Sequence, residues 1–217
     1  MTRIPLIPIV LACLLVPCAA AAGADGRAAR LPIAPHALVA APAELPGFAA
    51  AAAQLRSTRS AGTWATRILE DAPASAAGEI AALKRRGFQE GVQEQLTAGQ
   101  DEALSLAVVL RSAKAARREL QTNEAAELKA EGHSEVRRSA VPAIPGAIGF
   151  NIIEAASKGA AGGVLFAVGR CVVVVGDYLE GASPEQALSS SVAGGAAIYH
   201  RVARRCRRPA QRPAGHR

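Results

Sequence analysis

His133-Ser134-Glu135 sets a base, a hydroxyl and a carboxylate next to one another, the side-chain types of an acyl-transfer triad. Neighbours in sequence do not converge in space, and a polar turn before the next strand accounts for the same three residues. His36 and His216 fall in the flanks of the chain, and His200 beside Tyr199 reads as the edge of a helix stripe. There is no H-x-x-x-H or C-x-x-C spacing, no G-x-S-x-G, and no glycine loop ending in Lys-Ser or Lys-Thr. No catalytic, cofactor-binding or metal-binding residue is therefore assigned. The expected function is a non-enzymatic binding or structural domain, and the alternative is a secreted hydrolase-like enzyme with an unrecognised active site. Convergence of His133, Glu154 and Asp177 in one concave pocket would favour the enzyme, and their scatter the binding domain.

The N-terminus has the three parts of an export signal in order. Arg3 is the positive region, Ile9 to Val16 with Leu11, Leu14 and Leu15 is the apolar region, and Ala19 to Ala24 is a run of small residues. Cleavage after Ala22 or after Ala24 puts small side chains where a signal peptidase needs them. The apolar run is far shorter than the ~20 residues that span a bilayer. Lipid attachment at Cys18 is disfavoured by Pro17, which stands where a lipobox has a small residue. Residues 1–24 are thus expected to be a cleaved signal peptide, and the mature chain to be secreted or retained at the cell envelope.

Removal of the signal leaves Cys171 and Cys206. An oxidising compartment favours pairing them, with two free thiols or an intermolecular bridge as the alternatives. A last helix running back along the sheet brings Cys206 towards the start of the strand that Cys171 opens. The internal bridge would stabilise the fold by roughly 3–4 kcal/mol on chain-entropy grounds.

The formal charge of +7 suggests nucleic acid until it is located. Arg201, Arg204, Arg205, Arg207, Arg208, Arg212 and Arg217 form a C-terminal cluster without an acid among them, and the body of the chain is close to neutral. Arg204, Arg205, Arg207, Arg208 and Arg212 could touch an anionic envelope polymer or lipid headgroups, or else end the chain as a solvated tail. An extracellular protein is the other partner considered. Nucleic acid is not expected, nor is a transmembrane span after signal removal.

Stepping along the chain, residues 25–62 are rich in Ala and Pro and read as a flexible linker. Residues 63–206 read as one domain, and residues 207–217 as a basic disordered tail. Helix signals run from Ser75 to Arg86, closed by Gly87. Phe88 to Thr97 fits a strand or a helix and is assigned to a strand. Ala103 to Leu110 alternates as a strand, and Ser112 caps a helix through Leu120 and on towards Leu128. Ile148, Phe150 and Ile152 alternate; a Gly/Ala-rich loop leads to Val164–Val168; Gly169-Arg170 turns the chain into Cys171–Val175. Arg170 at the centre of the apolar stretch 162–179 argues against a membrane helix there. Ser183, Pro184 and Gln186 cap a last helix whose stripe is Leu188, Val192, Gly195, Tyr199, Val202 and Cys206. The order predicts an α+β fold, an antiparallel sheet with helices packed mainly on one face.

The segments Leu83-Lys84-Arg85-Arg86-Gly87-Phe88-Gln89-Glu90-Gly91-Val92, Val141-Pro142-Ala143-Ile144-Pro145-Gly146-Ala147 with Gly149-Phe150, and Val164-Leu165-Phe166 leading to Gly169-Arg170 resemble a group of secreted actinobacterial proteins of unknown function. The resemblance spans about Thr63 to Arg204. It implies export and fold, and it carries no catalytic residue across. Similar sequences often have an aromatic after the Gly-Arg turn, where this one has Cys171. The export reading predicts that the protein recovered outside the cytoplasm begins at Gly23 or Asp25 by intact mass; accumulation of full-length chain in the cytosol would contradict it.

Overall fold

Val172–Val175 is a β-branched run without a polar position, so a strand built from it must bury both of its faces. The computed structural model, which describes residues 33–68, 73–127, 134–154 and 159–207, places it in that setting. In chain order the elements begin with 3-10 turns at Pro35–Ala37 and Pro42–Glu44, β1 (Ala52–Thr58), and a short α1 (Ala61–Thr63) that runs into a π turn at Trp64–Ile68. Then come α2 (Pro73–Arg86), β2 (Glu90–Ala98), β3 (Asp101–Val109) and α3 (Ala113–Glu127). The second half is β4 (Ser134–Ala140), β5 (Ile148–Glu154), β6 (Gly159–Val168), β7 (Cys171–Glu180) and α4 (Pro184–Cys206).

One 7-stranded sheet has the order β1-β2-β3-β7-β6-β5-β4, and every neighbouring pair is antiparallel. β7 is the middle strand, which explains the apolar run Val172–Val175. Val173 and Val175 pack with Ile198 and Val202 of α4, while Val172 and Val174 pack with Leu83, Leu110, Ala115 and Ala116 beneath α2 and α3. The alternation of strand side chains sends successive valines to opposite cores. The fold is α+β with an antiparallel sheet, as expected. The helices, expected mainly on one face, divide between both: α4 covers one, α2 and α3 the other.

Local signals explain the helix ends. Gly87 adopts φ +71° and stops α2, because its left-handed conformation lets the chain leave the helix at once. Ser112 Oγ accepts from the Ala115 amide at 3.2 Å at the start of α3. Ser183 and Gln186 form the reciprocal capping box at the start of α4, with Pro184 at the first helical position.

Three expectations are corrected. The described part of the Ala/Pro-rich stretch is not a linker: Leu38, Val39, Leu45 and Phe48 are buried in the core under α4. Pro35 and Pro42 start the two 3-10 turns, a use of proline that composition alone hides. The segment is fastened by Arg201, whose guanidinium donates to the carbonyls of Ala37 (3.3 Å) and Val39 (2.7 Å) and to both oxygens of Glu44. Burial opposes the charge on Glu44, but Arg201 and the Ala41 amide outweigh it and hold the carboxyl below its ordinary value.

Second, Ser134 and the residues after it form β4 rather than a polar turn. As the last strand of the sheet among the described residues, β4 pairs there on one side only, and Arg137 and Arg138 are exposed on it, so a polar sequence is tolerated. Third, the Gly/Ala stretch before Val164 is strand from Gly159 onwards. A Cβ on Gly162 would overlap the backbone of Ala187 and Leu188, so the strand is glycine-rich because a helix backbone lies on it. The same closeness shifts the buried stripe of α4. Ala187, Ser190, Ser191 and Gly194 are buried in its first half, while Leu188 and Val192 are only half-buried. Phe48, 1% exposed, decides the status of the N-terminal segment. Phe48→Ala should lower the unfolding free energy by about 3–5 kcal/mol in denaturant titration, as for a core aromatic; an unchanged midpoint would return the segment to linker status.

Candidate functional site

The predicted cysteine pair is joined. Cys171 opens β7 and Cys206 ends α4, with Cα atoms 5.8 Å apart. The corner is tied by backbone as well: the Arg170 amide donates to the Cys206 carbonyl at 3.3 Å, and the Leu110 amide to the Arg170 carbonyl at 2.9 Å. Gly169 sits at φ +55° against the Cys206 carbonyl, where any side chain would collide. The Arg170 side chain bonds Gln89 at the start of β2. Both cysteines are buried, so the bridge is a structural closure rather than a redox centre.

The basic end divides. Arg201 is engaged with Glu44, and Arg207 donates to the Tyr199 hydroxyl at 3.0 Å. Arg204 and Arg205 project into solvent from the last turn of α4, where positive charge also complements the helix dipole. Arg208 and Arg212 lie outside the described residues, as do the candidate cleavage positions Ala22 and Ala24.

The triad-like residues are not brought together by anything described. His133 and the side chain of Glu154 fall outside the described residues. Asp177 is buried on β7 beneath α4, facing Ser190 and Ser191. Ser191 donates to the Gly162 carbonyl at 3.0 Å, and neither Asp177 oxygen has a donor in hydrogen-bonding geometry. Desolvation raises the Asp177 pKa to about 7; the two serine hydroxyls moderate the shift and Asp101 adds to it. On the opposite face Glu119 is raised to about 7 by burial, with Arg86 working against the shift and Glu79 adding to it. Arg86 bonds Glu119 and donates to Thr122 at 2.9 Å, tying α2 to α3.

A concave site does occur, and of the three residues singled out in the sequence Asp177 borders it. On the face that α2 and α3 share, the β6 positions Gly159, Ala161 and Gly163 all carry minimal side chains. The Phe150 ring of β5 lies over Gly163, and the Tyr178 ring of β7 lies over Gly159. Ala161 becomes the floor between two aromatic walls. Ile152, Leu104 and Glu102 complete the lining of a cavity of about 60 Å³. Register places Glu102 directly opposite Tyr178, and Tyr178 opposite Ala161, so an acid, a phenol and the floor share one row across the sheet. Partial burial raises the Glu102 carboxyl above its ordinary value. The slot thus offers apolar and aromatic walls with the Glu102 carboxyl at one end, while Asp177 borders it with its own carboxyl turned to the α4 side of β7. The signal in the sequence was the small residue at every second position of 159–163, read there as loop.

Asp177 gives a test with a definite sign. Its pKa is higher in the folded chain than the 3.8 of an unperturbed carboxyl, so the folded state binds the proton more tightly. Its contribution to stability is full below pH ~4 and is lost as pH rises through ~7. Asp177→Asn should therefore be more stable than the parent chain at pH 8, by an amount on the order of 2 kcal/mol, with the gap closing towards pH 4. A gap independent of pH in urea titrations would show that Asp177 does not titrate in this way.

Among known proteins, no family model and no curated protein matches the sequence. The fold is similar to the crystal structure of the extracellular domain of PknH from Mycobacterium tuberculosis, at a TM-score of 0.48 and 14% sequence identity, covering 81% of this chain and 100% of that one.

Proposed function

We propose that the chain is an exported binding domain, held closed by its disulfide, that takes a small apolar cation in the slot between Phe150 and Tyr178. The observation that carries this reading is the pairing of two aromatic rings with the Glu102 carboxyl around an alanine floor. Aromatic faces attract cations through their quadrupole, by about 0.5–2 kcal/mol each depending on desolvation. Glu102 supplies the matching charge, and a bound cation would offset the burial that now raises its pKa. A protonated amine on a short apolar stem fits these walls, whereas a carboxylate would face Glu102.

Export is supported by the N-terminal signal pattern and by the buried bridge between Cys171 and Cys206, which persists in an oxidising compartment. Among the described residues no helix is long and apolar enough to cross a membrane. Exposed Arg204 and Arg205 leave contact with an anionic envelope polymer as a second, separate property of the C-terminal end.

The test uses propylamine, with butyrate as the anionic counterpart, titrated into isotope-labelled protein at pH 7. Shift changes should concentrate on Leu104, Ile152, Ala161 and Tyr178. Affinity should fall about tenfold in Glu102→Gln and vanish in Ala161→Leu, which fills the floor. Equal response to both probes, or changes scattered over the sheet, would remove the cation-binding reading.

A further inference from the structure

We propose that two copies of this chain join through β1, whose free edge pairs antiparallel with itself about Leu55. Among the described residues β1 ends the sheet and pairs only with β2. Its residues Ala52–Leu55 are exposed, and Leu55, at 44% of its surface, is the large hydrophobic side chain left open to solvent among the described residues. Such an edge presents a row of unused amides and carbonyls that invites another strand.

The two edges of the sheet are treated differently. β4 at the far end carries exposed Arg137 and Arg138, the usual guard against strand addition. β1 has the sequence Ala-Ala-Gln-Leu-Arg-Ser-Thr, with no proline and one charge. An edge left flat and nearly uncharged is suited to being covered.

The occupant is chosen by register. Leu55 is the centre of the strand Ala52–Thr58. A two-fold axis there pairs Leu55 with its copy, Gln54 with Arg56, Ala53 with Ser57, and Ala52 with Thr58. The leucines meet on the α4 side of the sheet, since Leu55 lies beside Glu94 in the row that includes Ser105 and Val175. The Gln54 and Arg56 pairs fall on the other side. Arg56 already donates to Gln54 Oε1 at 2.9 Å within one chain, and the same donor and acceptor face each other across the axis, once on each side of it. Shifting the axis to Arg56 would set two guanidiniums against each other. A self-complementary patch about a two-fold axis is the property of an isologous dimer. Edge pairing alone buries less than the roughly 1,200 Å² of a tight complex, so the association is weak and concentration-dependent. β2 and β3 separate it from the slot walls, Phe150 on β5 and Tyr178 on β7, and it does not depend on ligand binding there.

The experiment is sedimentation velocity on the secreted, disulfide-intact chain from about 5 µM to about 1 mM, the range in which an interface of this size exchanges. The parent chain should shift towards dimer across this range. Leu55→Lys and Leu55→Glu, each with unchanged circular dichroism, should raise the dissociation constant at least about tenfold by placing like charges opposite each other. Their equimolar mixture should recover the dimer, because the two charges then attract. A monomer throughout the range, a dimer indifferent to either substitution, or a mixture no better than its components overturns the proposal. So does a parent chain that stays monomeric but binds a foreign strand peptide at β1.

Discussion

The contact on which the structure depends is the approach of one helix backbone to one strand backbone. α4 rests on Gly162 with its Ala187–Leu188 peptide, and Gly194 and Gly195 further along the helix accept Leu45, Val175, Val164 and Ile144 against them. Small residues on both partners bring the elements within reach of each other's backbone, where a larger pair would hold them apart. Once α4 is seated, its far end delivers Cys206 to Cys171, and Arg201 to the turn that ends in Glu44. The N-terminal segment, the disulfide and the β6–β7 corner are thus consequences of one close contact.

β6 serves both faces by the same means. Gly162 points to α4, while Gly159, Ala161 and Gly163 point to the other side and leave room for the Phe150 and Tyr178 rings against the strand. A strand of small residues is intrinsically weak, since it adds little packing of its own and loses more entropy on ordering. β6 is stable here because β7, β5, α4 and two aromatic rings enclose it. The electrostatic counterpart of tight packing is visible on both faces: Asp177 under α4 and Glu119 on α3 facing α2 are carboxyls held away from water, each pushed up to about 7. Packing was favoured over hydration at both places.

What was legible in the sequence were the features decided locally. The capping box of Ser183, Pro184 and Gln186, the stop at Gly87, the alternation in β3 and β5, and the Gly169-Arg170 turn depend on neighbours a few residues away. The Cys171 and Cys206 pairing followed from compartment and element order together. What was not legible depends on distant partners. Pro35 and Pro42 look like linker residues until Arg201 is seen to bind the turns they start. Gly159–Gly163 looks like a loop until α4 and the rings cover it, and β4 looks like a turn until β5 pairs with it. The slot itself was hidden because Glu102, Phe150 and Tyr178 belong to three strands whose order, β3-β7-β6-β5, no periodicity states.

The Arg201 clamp also bears on when the structure can form. Its bond to Ala37 spans 164 positions, and the middle strand β7 must wait for both halves of the sheet. Five of the six strand pairings join neighbours in sequence, but the β3–β7 pairing and the Arg201 clamp are long-range, and loop-closure entropy must be overcome before those contacts can help. Leu38 to Phe48, synthesised early, share their core with β2 and β3, where the Ala40 amide donates to Ser105 Oγ at 2.9 Å, and with α4, which is synthesised last. Completion of this core is therefore deferred to the end of the chain, and a nascent or truncated form ending before α4 would lack the element that closes the N-terminal segment onto the sheet.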